Sequence, residues 1–374
     1  MSTSRPPLPD SYEGLHSRAL AAARAGNIED SIALFRRLTD RLSQLGEHIL
    51  QRRPDLRDLH QQARLELTGL LANEGRYAEA LEVEQVLLRT HPDNSEAWRR
   101  DLAVLQVAKG EVEAGLSELK MLADSNPDLP GIWVVLGRES LLAGRLAESE
   151  RALEHARVVC PKDDADTLAQ IHLQRFLLYK EMKQLDDALS AWEEAAKLKP
   201  EVRKTVDEVV STLIEAGRYS QAQSYVARNE NALEAGFEQG LIDSLTGKPI
   251  DARDAWRQVA NLNPDKFEYG HDAWVEAVLR LGDPDPALEW LQGSLPTRGT
   301  PRSLLLAGIG WAMRKDVELA AILFQQAIHL MRRERPPRQK LDGADWRLLD
   351  SLVADDEMKA KLKPYFAVVE TLWG

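Results

Sequence analysis

Apolar positions recur with a helical period along most of this chain, and short polar breaks interrupt them at near-regular intervals. Residues 130–163 show the pattern most clearly. Pro130-Gly131-Ile132-Trp133-Val134-Val135-Leu136-Gly137 opens an apolar helix, and Gly144-Arg145-Leu146 turns the chain. A second apolar helix carries Leu153 and Ala156 and closes at Pro161. The same alternation predicts helix-turn-helix units around turns that begin at Gly26, Gly75, Gly110, Gly144, Lys183, Gly217, Gly247, Gly282 and Lys315. Successive steps are 49, 35, 34, 39, 34, 30, 35 and 33 residues, so seven of eight lie within five of 34.

Glycine suits these turns because a helix commonly ends on one left-handed residue, where a Cβ is penalised. Lys183 and Lys315 break the rule and predict a different or a strained turn. Second helices carry a small residue and, four later, a large one: Ser31/Phe35, Ala80/Glu84, Ser149/Leu153, Ala188/Trp192, Ala252/Trp256 and Ala320/Phe324. The small residue admits the paired helix and the large one fills the space beside it. Glu84 departs from that pattern. Prolines 92, 127, 161, 200 and 264 close five units.

Trp133-x2-Leu136-Gly137, the turn and the closing Pro161 resemble the tetratricopeptide repeat, two antiparallel helices in about 34 residues. The resemblance runs over residues 12–334. It implies an all-α, right-handed α-solenoid of about nine such units whose first helices line a concave face.

Departures from the period suggest the rest of the organisation. Residues 1–11 read as a flexible tail. The first unit (12–60) has lengthened helices: its second helix is predicted from Ile28 to about Arg52, on Leu34, Phe35, Leu38, Leu42, Leu45 and Ile49. The next helix is predicted from Pro54 to about Asn73. Residues 161–168 form an insertion with Asp166 or Thr167 as helix cap. Asn229-Glu230-Asn231 breaks a shortened second helix. Residues 335–374 read as a terminal cap whose helices start near Asp345 and about Asp355, because the last repeat has no neighbour to cover it.

Composition narrows the function. A net charge of −12 argues against non-specific nucleic-acid binding and against docking on an anionic membrane. The basic run 331–340 reads as a helix end followed by a Pro-Pro break. The lone Cys160 permits no intrachain disulfide. The N-terminal segment lacks a secretory apolar core, and no run approaches the length of a membrane span, so a cytoplasmic protein is expected.

Catalytic patterns fail in turn. None of the eight histidines has another three or four residues away, and no metal site is expected. No phosphate-binding loop, dinucleotide fingerprint or nucleophile elbow occurs. Gly308-Ile309-Gly310 reads as close helix packing. The nine tryptophans fall mostly at packing positions. No cofactor and no enzymatic activity are expected.

What remains is a binding surface. First-helix positions not needed for packing are Arg100, Arg138, Lys180, Asp207, Ser211, Tyr269, Asp272 and Glu276, basic early and acidic late. Phe366 and Trp373 are a second candidate interface. Family members that grip the carboxylate tail of heat-shock chaperones use Lys and then Asn in first helices. The aligned positions here hold Leu65/Gly69, Arg100/Val104, Val134/Arg138 and Leu173/Leu177, which disfavours that role. The expectation is a non-enzymatic scaffold that binds a protein or peptide in its groove. The alternatives are a structural subunit or homo-oligomer using the termini, and a chaperone or regulator of a neighbouring enzyme or secretion system.

Overall fold

The computed structural model describes residues 11–91, 94–333 and 339–367. It divides into two compact units, Met1–Thr167 and Leu168–Gly374. Both are built from helices joined in antiparallel pairs. The first unit pairs α1 (Tyr12–Arg24) with α2 (Ile28–Ser43), then, after a six-residue α3 (Glu47–Arg52), α4 (Pro54–Asn73) with α5 (Tyr77–Thr90). It continues with α6 (Ser95–Lys109) and α7 (Val112–Ser125), and α8 (Pro130–Leu142) and α9 (Leu146–Val159). Helix α10 (Ala165–Glu181) begins at the boundary.

In the second unit α11 (Leu185–Leu198) follows α10, and α12 (Val206–Glu215) pairs with α13 (Tyr219–Val226). Then come α14 (Ala232–Leu245) with α15 (Pro249–Ala260), α16 (His271–Arg280) with α17 (Asp285–Arg298), and α18 (Pro301–Met313) with α19 (Val317–Met331). Helices α20 (Gly343–Leu352) and α21 (Asp356–Leu362) end the described chain. Within each unit the second helix of one pair packs on the first helix of the next. First helices of successive pairs also touch, as α12, α14, α16 and α18 do. One face of the second unit is therefore lined mainly by first helices.

The turns explain the period. In the turn after α8, Gly144 takes φ 72°, and Arg145 N donates to Ser140 O at 2.8 Å. That six-residue closure is a helix-ending motif that needs a left-handed residue before the donor. Lys183 and Lys315 adopt the same conformation, at φ 60° and 65°, with Gln184 N on Tyr179 O at 2.9 Å and Asp316 N on Trp311 O at 3.0 Å. The turn is unchanged and the lysines carry the strain, about 1–2 kcal/mol for a residue with a Cβ.

Packing inside a pair follows a sixteen-residue register. A Cβ on Gly137 would lie 2.6 Å from the Leu153 side chain, on Gly240 2.3 Å from Trp256, and on Gly308 2.4 Å from Phe324. The missing side chain on the first helix makes room for the large one on the second. Gly308 is thus a packing residue, as its sequence context suggests.

Three local expectations need correction. The helix predicted over 28–52 breaks after Ser43, because Gly46 at φ 78° turns the chain before α3. The apolar spacing of Leu42, Leu45 and Ile49 runs through the break and hides it. Asp164, not Asp166 or Thr167, caps α10, accepting from Thr167 N at 3.0 Å. Phe366 is no exposed interface. It is 2% exposed, packs edge-on against Phe324 and Trp346, and is fixed by Ala367 N donating to Leu341 O at 2.7 Å. Together with Leu348, Leu349, Met358 and Leu362 it belongs to the core shared with α18 and α19. Trp373 lies outside the described residues.

Candidate binding groove

The first-helix face of the second unit holds a cavity of about 510 Å³. Helix α12 supplies Asp207, Ser211 and Ile214; α14 supplies Glu234, Phe237, Glu238 and Leu241. The segment before α16 and its first turns supply Glu268, Tyr269, Gly270, His271, Asp272 and Glu276, with Trp290, Thr300 and Arg302 at the far wall. Five of the residues predicted from sequence therefore meet here: Asp207, Ser211, Tyr269, Asp272 and Glu276.

Local chemistry builds the wall. Asn231 caps α14, its Oδ1 accepting from Leu233 N at 3.0 Å and Glu234 N at 3.4 Å. Its Nδ2 donates to Tyr269 O at 3.0 Å, tying the 268–270 segment to α14. Gly270 takes φ 83° and passes so close that a Cβ would sit 2.9 Å from Asn231 Nδ2. Only glycine meets both demands. The placement of Tyr269 and the start of α16 depend on it.

The acidic groups fall into two sets. Glu276, 5% exposed, accepts from Arg280 at 2.7 and 2.9 Å and from Arg302 Nη2. Arg302 also donates to Asp345 at 3.0 Å. Glu276 is thus a structural anchor rather than a free ligand group. At the rim, Glu268 pairs with Lys204 at 3.3 Å.

Asp207, Glu234, Glu238 and Asp272 form no ion pair among the described residues. Burial raises all four carboxyls, Glu234 to about 7 and Glu238 to about 8, and the charge of Asp207 adds to both. Glu238 is 7% exposed. One of its oxygens takes a long 3.4 Å bond from Asn229, and among the described residues the other takes none. The lining also carries two aromatic rings: Trp290, stacked on His271 at 5.3 Å, and Tyr269, with Lys204 Nζ 5.8 Å from its ring centroid.

The remaining predicted residues do not join this site. Arg100 donates to Asp101 at 2.8 Å and Arg138 to the buried Glu139 at 3.0 Å. Both belong to the first unit, and each is neutralised by its neighbour in sequence. Lys180 is half-buried on α10, within electrostatic reach of Glu208. Glu234 and Glu238 were missed as site residues. The signal was present as two carboxylates four apart on one side of a first helix. Among the described residues no group of three or more His, Cys, Asp or Glu is placed to hold a metal ion, and no helix is long and apolar enough to cross a membrane.

The class is now defined: an all-α protein of antiparallel helix pairs with an acid-walled cavity on a first-helix face. Residues 16–95 match the model of the tetratricopeptide repeat. That match places tetratricopeptide repeats over residues 16–95 of this chain. No curated protein matches it. Among solved structures, it is similar to a tetratricopeptide repeat protein from Parabacteroides merdae, at 14% identity, over 71% of this chain and 97% of that one, with a TM-score of 0.42. A thermophilic tetratricopeptide repeat protein from Thermus thermophilus is 24% identical over 54% of this chain and all 100% of that one, at 0.36. PilF from Pseudomonas aeruginosa is 18% identical over 56% and 93%, at 0.34. Repeats of this family generally act as protein–protein interaction scaffolds without enzymatic activity.

Proposed function

We propose that this chain is a non-enzymatic scaffold that binds a segment of a partner protein along the first helices of its second unit. The observation that carries the reading is the convergence of α12, α14, α16 and α18 on one cavity with polar and aromatic walls. A cavity open along several helices suits an extended peptide or a partner helix. In this reading residues 335–374 serve as the terminal cap. Self-assembly through the aromatic C-terminus draws no support from Phe366, which is consumed by the core.

Site-specific photo-cross-linking tests the assignment. A photoreactive residue at exposed Ser211 is expected to capture a partner. One at Ile250, on a second helix and 75% exposed, is expected to capture none. Equal capture from both positions overturns the groove.

A further inference from the structure

We infer that the groove recognises a cationic side chain, lysine or arginine, presented by an extended basic segment of the partner. The inference rests on the groove reading above and names its ligand. Three observations carry it.

The first is a charge imbalance. Asp207, Glu234 and Glu238 line one cavity and form no ion pair among the described residues, whereas Glu276 and Glu268 have cations of their own and Asp272 lies within electrostatic reach of Arg302. Carboxylates gathered in a partly dry space repel one another, and an incoming cation relieves that repulsion.

The second is Glu238. It is more than nine-tenths buried and faces the cavity with an oxygen that no described residue satisfies. An acceptor oxygen that opens onto the cavity is placed to take a donor from a ligand. A guanidinium or ammonium supplies several donors and the matching charge.

The third is that the same wall already holds one cation in this way. Arg280 bonds Glu276 and lies 5.3 Å from the Trp256 ring and 6.0 Å from Phe237. Carboxylate on one side and ring face on the other is a general solution for holding a guanidinium. The cavity gathers the same kinds of group, Glu238 and Asp272 with Tyr269 and Trp290, and Lys204 lies 5.8 Å from the Tyr269 ring. Ile214 and Leu241 add an apolar floor for the alkyl stem.

Peptide titration on the full chain tests this. Fluorescent Gly-Ser peptides bearing arginine, glutamine or glutamate at the same positions are followed by anisotropy at mildly alkaline pH, with 1,5-diaminopentane as a free cation. Glu238→Gln and Asp272→Asn are near-isosteric and replace acids whose charge burial already disfavours. They fold, as circular dichroism checks. The expected result is binding of the arginine peptide alone, weakened at least about tenfold by either variant, the loss of one charge-assisted hydrogen bond. Equal binding of the arginine peptide to wild type and both variants overturns the inference. Equal or tighter binding of the glutamine or glutamate peptide overturns it too, but leaves the groove reading intact. Binding of free diaminopentane as tight as the peptide overturns the partner segment in favour of a small-cation site. Failure of every peptide to bind, together with no cross-link from Ser211, overturns both readings.

Discussion

Two helix pairs fill the same register in opposite ways. In α14/α15, Gly240 stands opposite Trp256, sixteen residues on, and the ring lies against the glycine backbone. Trp256 is 6% exposed, and its indole N–H donates to Phe237 O at 3.3 Å. In α4/α5 the same two positions hold Thr68 and Glu84. Glu84 is 1% exposed, and neither of its oxygens, nor the Thr68 hydroxyl, has a hydrogen-bond partner among the described residues. Burial pushes the Glu84 carboxyl up to about 7. The period sets where a side chain must go and leaves its chemistry open. One pair uses the position for a large apolar contact, the other holds an ionisable group there. The pair with the apolar filling is also the one whose first helix carries Glu234 and Glu238 into the groove, so a rigid core backs the site.

The largest effect expected from breaking the comparison is at Trp256. Trp256→Ala leaves a cavity against Gly240 and is expected to lower stability by about 3–5 kcal/mol, measured as a fall in the urea midpoint. Glu84 comes next, and it reverses sign. Its folded pKa stands above the unfolded value, so its contribution is fully present below about 4.5 and fades as pH rises through about 7. The slope is at most about 1.4 kcal/mol per pH unit in that window. Glu84→Gln is expected to flatten this part of the stability–pH curve, and Glu84→Leu to stabilise the chain above neutral pH. Unfolding midpoints across pH 5 to 8 check both, and an unchanged curve for Glu84→Gln contradicts the account.

Gly240→Ala forces a methyl into the Trp256 ring and is expected to cost about 1–3 kcal/mol, whereas Thr68→Ala in the matching position relieves a buried hydroxyl and is expected to cost less. The turns give the smallest effect. Gly75, at φ 71°, joins α4 to α5, and Gly75→Ala is expected to lose about 1 kcal/mol. Lys183→Gly, at a turn of the same form, is expected to gain about as much. Paired denaturation curves decide.

Much of this was legible in the sequence because helix turns are a local matter. Glycine spacing located the turns, and the two lysine exceptions were visible as exceptions. The break at Gly46 was not, since an apolar stripe carries no mark where the backbone turns beneath it. Phe366 looked like surface because an aromatic near a chain end gives no hint of the bridge to Leu341 that draws it inward. The groove was half legible. Free first-helix positions pointed to Asp207, Ser211, Tyr269 and Asp272. That four separate segments meet at one cavity, and that Glu276 is occupied by two arginines, depends on tertiary placement. The early basic residues pointed to a second sign of charge. Arg100 and Arg138 are instead paired with the acids that follow them.

Hydrogen exchange on the full chain, with and without the arginine peptide, tests the central claim most directly. Slowed exchange is expected in 206–215, 231–245 and 268–280, with second helices α13 and α15 unchanged. Slowing confined to second helices or to residues 12–167, or no slowing while the peptide is bound, contradicts it.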